Sequence, residues 1–273
     1  MAIYADCHLH SDFSADSGAS MESMIEAGID KGLKIMCFTE HNDFMIPEDK
    51  NAEHTPQEWV LNTDSYLYEL LRNKEKYEDR IKILFGIEIG LQDSCVRENA
   101  VLAKSHEFDF IIGSTHIVRG MDPYYPEYFE GRDREEAFHE YFENELRSIK
   151  KNSCFDVYGH LDYIVRYGGA LGEYDFSKHA DIFDEILKTL IDKEKGIELN
   201  SGGIKKGLKD FHPRMEILKR YKELGGEVIT IGSDAHKPEN VADAFDRACE
   251  VLKECGFKYY CVFEKRSPEY FKL

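Results

Sequence analysis

The chain has 273 residues, 42% hydrophobic and 12% aromatic, so it can bury the core of one large α/β barrel or of two modest domains. Its 53 acidic and 35 basic residues give a formal net charge of −18, which excludes the basic stripe of a nucleic-acid-binding protein. Since the sequence has neither a run of about 18 apolar residues nor a signal-peptide pattern, we expect no membrane span and a cytoplasmic location.

Seven short apolar runs recur along the chain, and each is followed by a polar or glycine-rich turn. Their alternation with segments of helical periodicity predicts parallel β-α units. The predicted strands lie at residues 3–10, 35–41, 81–90, 108–118, 155–165, 196–203 and 227–236. The predicted helices are Met21–Gly32, Pro56–Asp79, Asp133–Lys151, Lys178–Glu194, Arg214–Leu224 and Val241–Cys255.

No proline-, glycine- or serine-rich linker and no block of charge interrupts this alternation. Seven consecutive units without a boundary predict one closed, TIM-like (β/α)7 barrel that spans residues 1–273 as a single domain. In such barrels the functional site lies at the carboxyl ends of the strands, so the residues at those ends are the first candidates for function.

Residues that can bind metal stand at the carboxyl ends of six of the seven predicted strands. The set is His8, His10, His41, Glu88, His116, His160, Asp234 and His236. His8 and His10 are two residues apart and therefore point to the same face of the first strand. The other five histidines, which fall in predicted helices or loops, are His54, His106, His139, His179 and His212. Six of the eleven histidines at strand ends indicate a metal site rather than chance placement.

The candidate ligands offer imidazole nitrogen and carboxylate oxygen but no thiolate, which favours zinc, manganese or ferrous iron. Eight such groups exceed the four ligands of one tetrahedral ion, so two or three ions that share a carboxylate are expected. Glu88, on a central strand, is predicted to be the bridge. Either Asp12 or Asp16, in the loop after the first strand, could supply one more ligand.

Six motifs occur along the chain in the order HLH, TEH, GIEIG, STH, GHLD and SDAH. This order resembles the polymerase and histidinol phosphatase (PHP) family over the whole chain. The resemblance implies a distorted seven-stranded barrel with three divalent metal ions. Within the family, the segments that begin at Asn200 and Gly232 are most similar to the stand-alone histidinol-phosphate phosphatases of histidine biosynthesis.

The same resemblance distributes the ligands over the three ions. The ligands that it implies for the first ion are His8, His10, Glu88 and Asp234. Those implied for the second are Glu88, His116 and His160, and those for the third are Asp16, His41 and His236. Asp16 stands where some family members have histidine, which makes the third site harder and more anionic. Glu88, Asp234 and His236 are also predicted to act in catalysis.

Three divalent cations with the carboxylates of Asp16, Glu88 and Asp234 would carry a charge of about +3. An acidic chain would thus carry a local concentration of positive charge that attracts a small phosphate dianion. Metal-bound water loses its proton near neutral pH, and the ions offset charge on phosphoryl oxygens. The resemblance implies hydrolysis of L-histidinol phosphate, and this chemistry predicts attack by a metal-bridging hydroxide.

Basic residues near strand ends are candidates for phosphate binding, namely Arg119, Arg166 and Lys205. Lys205 stands where relatives are expected to have arginine, which keeps the charge but weakens bidentate recognition. Residues 119–136 are rich in tyrosine, proline and charge and are predicted to cover the mouth and contact the leaving group. Glu40 and Asp162 lie beside predicted ligands and could orient imidazoles.

Two other functions stay open at this point. The same chemistry could act on another small phosphate ester, such as a nucleotide or a sugar phosphate. From a different class, the chain could be a non-catalytic metal-binding scaffold. The complete ligand set argues against a scaffold, because a degenerate scaffold need not retain its ligands.

Overall fold

Seven strands form one parallel sheet in the computed structural model, which describes residues 3–48, 53–169 and 173–273. The strands occur in the sheet in the order in which they occur along the chain. They are β1 (Ala5–Leu9), β2 (Ile35–Asn42), β3 (Lys82–Gly90), β4 (Phe110–Ser114), β5 (Val157–Tyr158), β6 (Gly196–Asn200) and β7 (Ile229–Gly232).

The first and last strands meet and close the sheet into a barrel. Leu9 forms an isolated parallel bridge with Ala235. The backbone N–H of His10 donates to the carbonyl of Ala235 at 2.9 Å, and the N–H of Asp234 donates to the carbonyl of His8 at 2.7 Å. The predicted (β/α)7 barrel is confirmed, and its closing hydrogen bonds lie among the predicted metal ligands.

Eight α-helices lie between or after the strands in the described ranges. They are α1 (Met21–Asp30), α2 (Thr63–Lys76), α3 (Val96–Leu102), α4 (Arg134–Lys151), α5 (Ala180–Asp192), α6 (Gly202–Lys205), α7 (Met215–Glu223) and α8 (Phe245–Glu254). Helix α5 buries Ile182, Ile186 and Leu190 at four-residue spacing, which gives it one apolar face. Every helix in these ranges is too short or too polar to span a membrane.

Helix α2 begins at Thr63 rather than at the predicted Pro56. Asn62 caps the helix, because its side chain accepts a hydrogen bond from a backbone N–H in the first turn. The residues before it are tied to the end of β2, where the N–H of Asp43 donates to the carbonyl of Trp59 at 2.8 Å. The segment predicted as helix therefore delivers an aromatic ring to the carboxyl end of the barrel.

The predicted strand at residues 155–165 is reduced to the two residues of β5. The chain then turns into a 3-10 helix at Tyr163–Arg166, which places Arg166 beside Asp234. Helix α8 starts four residues later than predicted, because Ala242 and Ala244 have positive φ values of 51° and 57° that no α-helix contains. The short helices α3 and α6 were not predicted, and α6 begins within the strand that was predicted at residues 196–203.

A hairpin of β8 (Tyr259–Glu264) and β9 (Ser267–Lys272), also not predicted, covers the amino-terminal end of the barrel. Phe263 stacks on Phe110 at the start of β4, with ring centroids 5.1 Å apart. The Arg266 guanidinium donates to a backbone carbonyl just before β5 at 2.9 Å. The hairpin therefore closes the end of the barrel opposite to the predicted site.

Asp6 connects β1 to the segments that follow β7. Its buried carboxylate accepts hydrogen bonds from the N–H groups of Ser233 at 2.9 Å, Ala242 at 2.9 Å and His8 at 3.3 Å. Burial raises the pKa of Asp6 above its ordinary value, although these donors oppose the shift. One side chain thus satisfies three backbone donors at the seam where the barrel closes.

We expect Asp6→Ala to lower the free energy of unfolding by about 3 kcal/mol, because the substitution leaves buried N–H groups without an acceptor. Urea denaturation followed by circular dichroism measures the effect. Asp12→Ala is the matched control, since Asp12 is exposed, and it should change the free energy by less than about 0.5 kcal/mol. Equal unfolding midpoints for the two variants would contradict the assigned role of Asp6.

Candidate metal centre

Five imidazoles surround the buried carboxylate of Glu88, which points into the barrel from β3. The closest distance between each ring and a carboxylate oxygen runs from 2.8 to 3.6 Å. The five residues are His8, His10, His41, His116 and His160. They come from β1, from β2 and from the ends of β4 and β5, so the closed barrel is what brings them together.

Asp234 completes the group on the side of β1 and β7. Its Oδ1 lies 3.5 Å from Nε2 of His10 and 3.8 Å from Nε2 of His8. The backbone of Asp234 has a φ of 52°, in the left-handed region that non-glycine residues rarely adopt. The closing hydrogen bond to β1 holds this conformation and turns the carboxylate inward.

The structure brings Asp16, and not Asp12, to the cluster. Oδ2 of Asp16 lies 3.1 Å from Nε2 of His236, and Oδ1 lies 3.8 Å from Nε2 of His41. Asp12 is exposed on the outside of the same loop. All nine predicted ligands therefore lie in one connected group at the carboxyl end of the barrel.

Several buried polar atoms of this group, and one of the neighbouring Asp43, have no hydrogen-bond partner among the described residues. They are Oε2 of Glu88, Nδ1 of His41, Oδ2 of Asp43, Nδ1 of His160 and Nε2 of His236. Nδ1 of His41 approaches Oε2 of Glu88 to 2.9 Å without forming a hydrogen bond. An unpaired buried polar atom costs roughly 1–3 kcal/mol, so these atoms fit metal ligands better than a purely structural network.

Among residues 3–48, 53–169 and 173–273, four sets of three donors lie close enough together to hold an ion, with ligand atoms within 4.8 Å of one another. They are His8, His10 and Glu88; Glu88, His116 and His160; His10, His41 and His236; and His41, Asp43 and His116. The donors are imidazole nitrogen and carboxylate oxygen, which suit a divalent transition metal. The residues present therefore fit a centre of more than one ion.

Charge within the cluster sets the protonation of its members. Burial would raise the pKa of Glu88, but His8, His41 and His116 hold it well below its ordinary value, so the carboxylate is ionised. Burial would lower the pKa of His41, but Glu88 and Asp16 raise it to about 9. A metal ion must displace such protons from the imidazoles, which makes metal affinity weaker at lower pH.

Glu198, on β6, orients two of the ligands and was not predicted. Its Oε1 lies 2.6 Å from Nδ1 of His8, which leaves Nε2 of that ring directed at Glu88. Its Oε2 accepts a hydrogen bond from the backbone N–H of His160 at 3.0 Å. The available sequence signal was a single acid in the apolar run GIELN, at a position that faces the barrel interior.

Asp43 is a second carboxylate that was not predicted. Its Oδ1 lies 2.8 Å from Nδ1 of His116 and so directs Nε2 of that ring toward Glu88. Gly90 makes room for it, because a Cβ atom there would lie 1.8 Å from Oδ1 of Asp43. Asp43 comes directly after the end of β2 and two residues after His41, and this two-residue alternation was the available signal.

The predicted orienting role of Glu40 is carried through a serine. Oγ of Ser14 donates to Glu40 at 2.6 Å and lies 3.0 Å from Nδ1 of His10. The hydroxyl and the backbone N–H of Ser11 donate to the same carboxylate. Glu40 therefore fixes the loop after β1, and with it the direction of the His10 ring.

The cluster forms the floor of a cavity of about 490 Å³, a size typical of small-molecule sites. One wall comes from the predicted covering segment at residues 119–136, which contributes Asp122, Tyr125 and Glu127. Trp59 lies on another side, with its ring centroid 5.6 Å from that of His41. Burial raises the pKa of Asp122 to about 6.

Two of the three predicted phosphate-binding residues line this cavity. The Arg166 side chain lines the cavity but is only 5% exposed. Its Nη2 donates to Oδ2 of Asp234 at 3.1 Å, and its guanidinium lies 4.7 Å from the ring centroid of Tyr163. Nζ of Lys205 donates to the carbonyl of Ser233 at 3.1 Å. Both cations thus lie beside the predicted metal ligands.

The structure does not bring the third predicted residue, Arg119, to the cavity. Its side chain is 58% exposed and pairs with Glu140 on α4, in a separate surface depression. The chain reverses here, since Arg119 has a positive φ of 50° and is followed by Gly120, which sends the guanidinium outward. Lys206 lines the cavity instead and was not predicted.

The five remaining histidines divide into two groups. His106, His139 and His179 lie outside the cavity lining, as expected. By contrast, His54 lines the cavity. His212 is fully buried, and its Nε2 accepts a hydrogen bond from Nε of Arg166 at 2.9 Å. The prediction that a histidine lies in a loop therefore does not indicate whether it belongs to the site.

A parallel barrel whose strand ends carry clustered histidines and carboxylates defines this chain as a metal-site (β/α)7 barrel. The chain belongs to the PHP domain family, whose sequence profile matches residues 6–202. It is 35% identical over 266 residues to a probable histidinol-phosphatase of Clostridium acetobutylicum, covering 97% of this chain and 98% of the relative. It is 32% identical over 260 residues to the histidinol-phosphatase of Lactococcus lactis, covering 94% and 93%.

A solved structure extends the similarity to three dimensions. The histidinol phosphate phosphatase of Lactococcus lactis, complexed with zinc, L-histidinol and phosphate, superposes with a TM-score of 0.86 at 30% identity. The match covers 97% of this chain and 98% of that structure. The whole barrel is therefore shared with a zinc-bound relative.

We expect protein purified without chelator to contain about two to three equivalents of transition metal per chain. Glu88→Gln should lose metal and at least tens of fold in kcat, because the neutral amide no longer balances the cations that the surrounding imidazoles bind. Elemental analysis and turnover measure both effects. His139→Ala, on the exposed face of α4, is the control and should keep full metal and turnover. Full activity with one equivalent or fewer would rule out the multi-ion centre.

Proposed function

We propose that this chain is a metal-dependent phosphomonoesterase that hydrolyses L-histidinol phosphate to L-histidinol and phosphate. The observation that carries the proposal is the ligand cluster around Glu88, which lies on the floor of a small-molecule cavity beside the buried Arg166. Histidinol-phosphatases that are 35% and 32% identical over nearly the whole chain support the choice of substrate.

We propose three divalent ions in this centre, with zinc favoured by the zinc-bound relative and manganese or iron as alternatives. The three ligand sets are His8, His10, Glu88 and Asp234; Glu88, His116 and His160; and Asp16, His41 and His236. Three of the four close donor groups share at least two residues with a single one of these sets, which supports the distribution. Glu88, Asp234 and His236 are the ligands that we assign to catalysis.

Bound divalent ions supply a water that deprotonates near neutral pH and positive charge that offsets the phosphoryl oxygens. The residues of the chain bind and orient the substrate around that chemistry. Arg166 binds phosphate oxygens, and because Asp234 and Tyr163 already hold its guanidinium, little side-chain entropy is lost on binding. Lys205 adds a second positive charge at the same side of the cavity.

The cavity walls favour a cationic leaving group. The lysines of the lining follow β6 and β7, whereas the acids Asp122 and Glu127 follow β4. Together with the aromatic rings of Tyr125 and Trp59, these acids suit an amine and an imidazole, by ion pairing and by cation–π contact. A nucleotide or a sugar phosphate brings a neutral or anionic group to this wall and gains no such stabilisation.

We further propose that the chain is a single domain that acts in the cytoplasm on a small molecule, without a nucleic-acid partner. One continuous hydrophobic cluster among the described residues supports the single domain. All seven cysteines are free, which is typical of a reducing compartment. The net charge of −18 opposes binding to a polyanion.

The metal-loaded protein should hydrolyse L-histidinol phosphate with a kcat/KM about 100-fold or more above that for a nucleoside monophosphate or glucose 6-phosphate. The reason is that, of these esters, only L-histidinol phosphate has a cationic leaving group that can pair with Asp122 and Glu127. Phosphate release from each ester under the same conditions measures this preference. A higher kcat/KM for another ester would reject the proposed substrate. No phosphate release from any ester would instead support the non-catalytic scaffold.

Arg166→Ala should lower kcat/KM by about ten- to a hundredfold, because it removes a charge-assisted contact with the phosphate while the ligand cluster stays intact. Inhibition by inorganic phosphate should weaken in parallel, with unchanged metal content. Arg119→Ala is the matched control and should behave as the unmodified protein, since this arginine lies outside the cavity. Unchanged kcat/KM and phosphate inhibition for Arg166→Ala would exclude Arg166 from the site.

A further inference from the structure

Behind Arg166 lies a short chain of buried hydrogen bonds. Nε of Arg166 donates to Nε2 of His212 at 2.9 Å, and Nδ1 of His212 lies 2.6 Å from Oδ1 of Asp162. Both His212 and Asp162 are buried, and neither lines the cavity. The series carboxylate, imidazole and guanidinium therefore runs from the interior of the protein to the wall of the site.

The chemistry of the three groups fixes the state of the central ring. A guanidinium has only donors, so Nε2 of His212 must be the acceptor, and Nδ1 carries the proton that it donates to Asp162. Burial and the charge of Arg166 both lower the pKa of His212, which agrees with a neutral ring. His212 is thus held as one tautomer, with its lone pair aimed at Arg166.

Two consecutive glycines at the start of α6 leave room for this contact. A Cβ atom at Gly203 would lie 2.6 Å from Nε2 of His212, and one at Gly202 would lie 3.0 Å from Nη2 of Arg166. Any larger residue at either position would press on the hydrogen-bonded pair. The two glycines therefore allow the chain to turn after β6 and also leave space for the His212–Arg166 contact.

A second anchor holds the other side of the guanidinium. Nη2 of Arg166 donates to Oδ2 of Asp234 at 3.1 Å and lies 3.4 Å from Oδ1 of Asn200. With Nε bound to His212 and Nη2 bound to Asp234, both the position and the plane of the guanidinium are fixed. Bidentate binding of phosphate depends on that plane, because the donors of arginine form a rigid fork.

We propose that His212 and Asp162 are positioning residues that hold the guanidinium of Arg166 in the orientation that binds the phosphate group of the substrate. The inference rests on the proposed function, in which Arg166 is the phosphate ligand. Asp162 also accepts a hydrogen bond from the backbone N–H of Arg214 at 3.0 Å, so its replacement would disturb the start of α7 as well. His212 is therefore the residue to test.

Two substitutions separate the two hydrogen bonds of His212. The amide oxygen of His212→Gln reaches the position of Nε2 and can accept from Arg166, whereas the shorter His212→Asn can replace only the group at Nδ1. His212→Asn should weaken binding of inorganic phosphate to the metal-loaded protein, measured by calorimetry, by about tenfold. It should raise KM by a similar factor, with a smaller change in kcat and with unchanged metal content. His212→Gln should retain phosphate affinity within about threefold of the unmodified protein.

A double-mutant cycle distinguishes positioning from a general structural role. In the Arg166→Ala background, His212→Asn should cause no further loss of phosphate affinity, because the side chain that it positions is absent. His179→Asn is the matched control: His179 is also a buried histidine paired with a carboxylate, Glu135 at 3.1 Å, but it lies away from the cavity. This control should leave phosphate affinity unchanged.

Gly203→Ala gives a second perturbation that keeps both side chains, and it should weaken phosphate binding in the same direction by crowding Nε2 of His212. Unchanged phosphate affinity in both His212→Asn and Gly203→Ala, or a full additional loss in the Arg166→Ala background, would overturn the proposal. Phosphate binding needs no substrate, so failure of the unmodified protein to hydrolyse histidinol phosphate rejects the proposed function separately. Unchanged phosphate affinity in Arg166→Ala would show that Arg166 does not bind phosphate, and it would therefore also overturn the positioning role of His212 and Asp162.

Discussion

A buried, ionised carboxylate needs compensating positive charge, and the site is organised around that requirement at Glu88. An unpaired anion in a barrel interior would cost several kcal/mol, and once the imidazoles have lost their protons their hydrogen bonds offset only part of this cost. Five imidazoles approach this one carboxylate, yet one of its oxygens has no hydrogen-bond partner within the part of the chain that the structure describes. Cations bound between these groups would satisfy both the carboxylate and the ring nitrogens, which would make metal binding and the local structure depend on each other.

The barrel separates the parts that stabilise it from the parts that perform chemistry. At the amino-terminal end, the β8–β9 hairpin packs aromatic rings and an arginine against the starts of β4 and β5. At the carboxyl end, carboxylates behind the cluster, such as Glu198 and Asp43, fix the tautomer and direction of the imidazoles. Asp6 contributes to both parts where the barrel closes, because its carboxylate accepts a hydrogen bond from the N–H of Ser233, the residue before Asp234.

The fold class and eight of the nine proposed metal ligands follow from the sequence, because strands alternate with helices and side chains at strand ends must converge in a closed barrel. The ninth, Asp16, lies in the loop after β1 and was named only through the family resemblance, since the residues alone left Asp12 as an alternative. Partners made only by tertiary contact, such as Glu198 for His8 or His212 for Arg166, leave no local pattern. The hairpin has no turn signal either. Its two turn residues, Lys265 and Arg266, have positive φ values of 50° and 63°, where glycine or asparagine is the usual choice.

Anomalous X-ray diffraction from crystals of the metal-loaded protein, recorded above and below the absorption edge of the bound metal, tests the central claim most directly. The account predicts at least two metal peaks within coordination distance of Glu88, one shared with His8 and His10 and one shared with His116 and His160. A third peak is predicted beside Asp16, His41 and His236. A single peak, or peaks that do not contact Glu88, would contradict the account.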